Sequence, residues 1–130
     1  MATNDLPRPT DAELAILNVL WRRGPSTVRD IHAELGPGSG TGYTTTLKML
    51  QIMTAKKLVR RDEENRSHVY EAALSEERTQ RQLVRDLLDR AFGGSATKLV
   101  MQALATKRAS AAELAQVREL IDGLKGGKAS

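Results

Sequence analysis

The strongest constraint on this chain is its punctuation: between Thr10 and Gly42, two helix-start signals are each followed by a glycine-proline stop. Thr10-Asp11-Ala12-Glu13 is a capping-box sequence, in which the threonine hydroxyl takes a first-turn amide and the glutamate reaches back to the cap. Leu14, Leu17, Leu20 and Trp21 recur at helical spacing. Gly24-Pro25 then supplies a left-handed stop and a residue that cannot continue the helix, so a first helix is expected over about 11–23. Thr27-Val28-Arg29-Asp30 repeats the cap logic, and Val28, Ile31 and Leu35 give a second, short helix one apolar edge. Gly36-Pro37-Gly38-Ser39-Gly40 is too glycine-rich for helix or strand, so a new element begins near Thr41 or Gly42.

The segment from Tyr43 to Lys56 starts with the β-branched run Thr44-Thr45-Thr46, which suits a strand. Periodicity favours a helix. Thr46, Met49, Leu50 and Met53 share one face of a 3.6-residue repeat, while Thr44, Lys48, Gln51 and Ala55 turn to the other. Leu58 to Asp62 and Ser67 to Ala72 read as short strands joined by Glu63-Glu64-Asn65-Arg66, with Asn65 suited to the positive φ of a tight hairpin. Three helices followed by a hairpin predict a winged helix-turn-helix head.

Beyond Leu74 the pattern changes to helices with wide apolar stripes. Ser75 caps a long amphipathic stretch bearing Leu83, Val84, Leu87, Leu88, Ala91 and Phe92, and Gly93-Gly94 ends it. Ser95 to Thr106 carries Leu99, Val100, Ala103 and Leu104, and a capping box at Ser110-Ala111-Ala112-Glu113 precedes Leu114, Val117, Ile121 and Leu124. The last four are spaced as a narrow packing seam. So much apolar surface beside a head with its own core predicts burial against a second copy of the chain, with Leu83, Leu87, Leu99, Leu104, Leu114, Val117, Ile121 and Leu124 as the dimerisation residues. The fold class expected is mainly α with a small β wing: a head over 1–74 and a helical dimerisation region over 75–130.

Composition mostly excludes. No cysteine is present, which removes disulfides, thiolate metal sites and a cysteine nucleophile together. His32 and His68 fall in separate elements without metal-ligand spacing, no glycine-rich loop has the phosphate-cradling pattern, and Gly36 to Gly42 lacks the ending of a P-loop. Neither catalytic residues, a metal site nor a cofactor is expected. No apolar run is long enough to span a bilayer and the first residues lack a secretory pattern, so a cytoplasmic location is expected.

Bulk charge does not locate a site, because residues 1–74 hold ten basic and nine acidic groups. Local charge is more telling. Between Glu34 and Asp62 there is no acidic residue, yet Lys48, Lys56, Lys57, Arg60 and Arg61 fall there, as on a surface that faces polyphosphate. A recognition helix meets base edges with its N-terminal end, so Tyr43, Thr44, Thr45 and Lys48 are the candidate contacts to double-stranded DNA, joined by Arg66 at the wing tip. The alternative is a winged-helix protein-interaction module without DNA binding, since a fold alone does not set function.

Thr10-Asp11-Ala12-Glu13-Leu14, Val19-Leu20-Trp21, Gly24, Thr27-Val28-Arg29-Asp30-Ile31, Tyr43-Thr44-Thr45, Leu50, Leu58-Val59, Arg66 and Tyr70 follow one another in an order and spacing that resembles the BlaI/MecI/CopY penicillinase-repressor family. The resemblance implies a bacterial transcriptional repressor that binds an inverted-repeat operator as a homodimer through its third helix and wing. Three positions depart from the family pattern: Lys48 stands where threonine is frequent, and Lys57 and Asn65 each replace a glycine. The resemblance also implies release either by copper, through a cysteine cluster this chain lacks, or by proteolysis, with a sensor-linked protease as partner. The Asn-Phe pair cut in antibiotic-responsive members aligns with Gln102-Ala103.

Overall fold

The computed structural model describes residues 8–36, 38, 40–64 and 68–127, which carry α1 (Asp11–Arg23), α2 (Val28–Leu35), α3 (Tyr43–Ala55), β1 (Val59–Asp62), β2 (Val69–Ala72), α4 (Glu76–Ala91), α5 (Ala96–Thr106) and α6 (Ala111–Gly127). The fold is the expected one, a winged helix-turn-helix head followed by helices. Two compact units divide it, Met1–Val84 and Arg85–Ser130, so the first unit reaches ten residues past the expected limit at Leu74 and includes the first half of α4.

Both head capping boxes form as the sequence predicts. Glu13 N donates to Thr10 Oγ1 at 3.2 Å while Thr10 N donates to Glu13 Oε1 at 2.9 Å, and Thr27 and Asp30 exchange the same pair of bonds at the start of α2. In the first unit α1 packs on α2, α2 on α3, α1 on β2 and α3 on β1. Ile16, Leu17, Leu20, Ile31, Leu50, Met53, Leu58, Val59 and Tyr70 meet in one buried core. The strands pair antiparallel from Val59 opposite Ala72 to Asp62 opposite Val69.

The turn after α1 does more than stop a helix. Ser26 N donates to Tyr70 O at 2.9 Å and Tyr70 N to Ser26 O at 2.8 Å, so Ser26 forms a one-residue bridge on the hairpin's second strand. Pairing these amides matters because Ser26 and Tyr70 are both almost fully buried, and a buried backbone group without a partner is costly. Trp21 Nε1 donates to Leu74 O at 3.0 Å and ties α1 to the residue that leads into α4.

At the end of α3, Leu58 N donates to Met53 O at 2.9 Å and Lys57 N to Thr54 O at 3.0 Å, the two bonds of a Schellman cap. That motif needs its linking residue left-handed, and Lys57 sits there with φ 67°. Lys57 thus occupies a position whose backbone favours glycine. His68 also has positive φ, at 51°, and precedes β2, although it falls within the strand expected over Ser67 to Ala72. Asn65, expected to make the turn, lies outside the described residues.

The second unit is built differently. Gly93 and Gly94 are left-handed, and Gly94 N donates to Leu88 O at 2.8 Å to close α4. Ser95 caps α5, and Ser110 forms a complete capping box with Glu113 ahead of α6. From Arg85 onward, no described side chain is buried.

Lys57→Gly should raise the stability of the head, because a β-carbon in the left-handed region costs about 1 kcal/mol or more relative to glycine. A thermal melt is expected to shift upward by a few degrees; an unchanged or lower midpoint would show that Lys57 is not strained.

Candidate nucleic-acid interface

The inner face of α3 anchors it. Thr46, Leu50 and Met53 are fully buried and Leu47 and Met49 pack partly against the same core. The β-branched run at Thr44-Thr45-Thr46 is helical because only that periodicity brings Thr46 under Leu50. Buried Thr46 is satisfied: its hydroxyl donates to Gly42 O at 3.2 Å, and His32 Nδ1 lies 3.3 Å from Thr46 Oγ1. With the hydroxyl proton directed to Gly42, the His32 ring nitrogen acts as donor. The His32 ring also meets Tyr43 edge to face, centroids 6.0 Å apart and planes at 80°. His32, with no metal-ligand spacing in the sequence, thus braces the start of α3 from the last turn of α2.

The far end of α3 is held by charge. Lys56 Nζ lies 2.7 Å from Glu13 Oε1 and 2.9 Å from Oε2, reaching the carboxylate that also caps α1. Burial pushes the Glu13 carboxyl up, but the Lys56 hydrogen bond, the Thr10 amide and the lysine charge together outweigh it and hold it below its ordinary value.

This pairing changes the account of the acid-free stretch. Of its five cations, Lys56 is committed to Glu13, Arg60 pairs with Glu71 at 3.2 Å, and Arg61 pairs with Glu63 at 2.8 Å. The sequence places those cations near one another but does not disclose their acidic partners, which come from α1, β2 and the hairpin turn. Lys48 and Lys57 remain on the surface without such an ion pair among the described residues.

The outward face of α3 gathers four of the five candidate contacts. Tyr43, Thr44, Thr45 and Lys48 are all exposed and continue into Gln51, Ile52 and Ala55. Arg66 lies outside the described residues. In the sequence Ile52 is passed over, and His32 is weighed as a metal ligand without a sign of its place beside α3. The signal for Ile52 was present, since it falls two positions after buried Leu50 and four after Lys48; that for His32 required knowing where α2 meets α3. Unlike α1, α2, α5 and α6, α3 has no side-chain cap: Gly42 occupies that position and its first turn carries no acidic residue.

A helix-turn-helix with a hairpin wing, whose third helix is anchored by its apolar side and presents hydroxyls and an ammonium outward, defines the winged helix-turn-helix class. Within it, residues 9–123 match the family model described as penicillinase repressor, and the chain belongs to that family. It is a family of repressors rather than enzymes. The transcriptional regulator BlaI of Mycobacterium tuberculosis is 38% identical over 66 residues, 50% of this chain and 48% of that protein, so the match spans about half that relative's length. The penicillinase repressor of Bacillus licheniformis is 23% identical over 123 residues, 95% of this chain and 96% of that protein. A solved structure described as the monomeric form of Bacillus licheniformis BlaI in complex with the blaP half-operator is 26% identical, covers 55% of this chain and 88% of that one, and superposes with a TM-score of 0.49.

Lys56→Met should destabilise the head by about 2 kcal/mol, less than for a fully enclosed pair because solvent reaches the lysine. Glu13 is lowered in the folded state, so the pair's contribution is present above the ordinary carboxylate range and lost as pH falls through the folded value. Denaturant titrations of both proteins should show the stability gap at pH 7 closing toward pH 3; a gap independent of pH would contradict this role for Glu13.

Proposed function

We propose that this chain is a transcriptional repressor that binds an inverted-repeat operator in duplex DNA as a homodimer. The observation that carries the reading is the outward face of α3, where Thr44, Thr45 and Lys48 are exposed together on a helix without an acidic residue. Threonine offers a hydroxyl to phosphate or base and a methyl to thymine, Lys48 meets phosphate or guanine, and Tyr43, steadied by His32, reaches the backbone at the groove edge. Arg66 supplies the wing contact in this proposal. The family match over residues 9–123 and the likeness to the penicillinase repressor of Bacillus licheniformis support the repressor part of the reading.

Dimerisation belongs to the second unit. Leu87, Leu104, Leu114, Ile121 and Leu124 are between 41% and 68% exposed, and Leu99 and Val117 are half-buried, which is too much apolar surface for a unit in which no described side chain is buried; Leu83, also half-buried, lies just before that unit in sequence and stays among the proposed dimerisation residues. A second copy supplies the missing cover, and two heads then reach half-sites one turn apart, about 34 to 36 Å along the duplex. The domain roles follow: operator binding in the head, pairing in the helices after it.

Release by proteolysis fits the same arrangement. Gln102 and Ala103 are exposed within α5, and cutting between them separates α6 and its seam from the rest. A sensor-linked protease is the partner this requires, and the helical turn around that bond must unwind before it can be cut. Among the described residues no helix is long and apolar enough to cross a membrane.

Lys48→Ala should weaken operator binding in a gel-shift titration and flatten its dependence on log salt by about 1 per half-site; unchanged affinity and slope would remove Lys48 from the interface. Ile121→Glu should convert the protein from dimer to monomer in sedimentation equilibrium. A wild-type chain that sediments as a monomer at all concentrations would refute the dimer.

A further inference from the structure

Between Asp11 and Ala72 the exposed large apolar side chains among the described residues are Tyr43, 47% exposed, and Ile52, 48% exposed. Both are on α3. Tyr43 has the His32 ring against it, whereas Ile52 is exposed on the outward side in the last third of the helix, four residues after Lys48 and seven after Thr45, which places the three on one stripe. Loose packing does not account for it, since Leu50 and Met53 on either side of it in sequence are fully buried.

We infer that Ile52 is a specificity-determining residue that reads the 5-methyl group of a thymine in the major groove. The inference rests on the reading of α3 as the duplex-facing helix. Among the features on base-pair edges in the major groove, the thymine methyl is the apolar one, while the others donate or accept hydrogen bonds. An isoleucine against a cytosine amino group or a guanine carbonyl would strip water from a polar atom and return nothing, so it selects for thymine and against a G·C pair. Four residues of helix advance about 6 Å, near two base-pair steps of about 3.4 Å, so the selected T·A pair lies about two steps from the pair or phosphate that Lys48 meets. Lys48 thus supplies affinity, and Ile52 adds discrimination where a polar side chain would tolerate either pair.

The test uses the full-length protein and a duplex that it enriches from a randomised pool, with uracil replacing each thymine in turn so that only the methyl is lost. At one thymine in each half-site, uracil should lower wild-type affinity about fourfold, the value of one buried methyl. Ile52→Val should keep that sensitivity and Ile52→Ala should abolish it, each with an unchanged thermal midpoint. An enriched duplex with no sensitive thymine, or a sensitivity that Ile52→Ala retains, overturns the inference and leaves the DNA-binding reading standing. Failure to enrich any duplex over the starting pool overturns both.

Discussion

Everything in the head depends on how α3 is wedged into the core by Thr46, Leu50 and Met53. Their complete burial leaves the helix one rotation about its axis, and that rotation decides which residues face outward. A buried hydroxyl without a partner costs about 1 to 3 kcal/mol, yet Thr46 avoids this through Gly42 and His32. At the opposite end Lys56 reaches across to Glu13, itself part of the cap on α1. Helix starts, core and ion pair thus act on one another: the glutamate of the first helix's capping box also pairs with the lysine at the end of the third.

Much of this could be read from residue order. The caps at Thr10 and Thr27, the inner face of α3 and the hairpin after it are local or periodic features, and local hydrogen bonding produces them without help from distant residues. The contacts that remained hidden are those between segments far apart in the chain. Ser26 bridging to Tyr70, His32 under Thr46 and Lys56 on Glu13 each join elements whose relative placement no spacing rule supplies. The same limit explains the cations of the acid-free stretch, three of which already have carboxylate partners. Of the candidate contacts, Tyr43, Thr44, Thr45 and Lys48 were legible because one helix carries them all, and Ile52 was passed over because an isoleucine is habitually assigned to the core.

The two units stand on different physical footings. The first buries a continuous core and closes its polar atoms within itself; among the described residues no buried side-chain nitrogen or oxygen lacks a hydrogen bond. In the second, helices begin and end cleanly through Ser95, Ser110 and the paired glycines, yet their leucines stay open to solvent. Well-formed helix ends beside uncovered leucines are the observation on which the proposed dimer rests. Lys57 shows the opposite balance: a strained residue kept in a left-handed cap because the Schellman bonds and the burial of Leu58 hold it there.

Contact between the outward side of α3 and duplex DNA is read out by backbone amide NMR of the full-length protein titrated with its enriched duplex. Large shifts should cluster at Thr44, Thr45, Lys48 and Ile52, with the buried residues of α1 nearly unmoved. Shifts confined to other elements, with the α3 amides silent at saturation, would contradict the account.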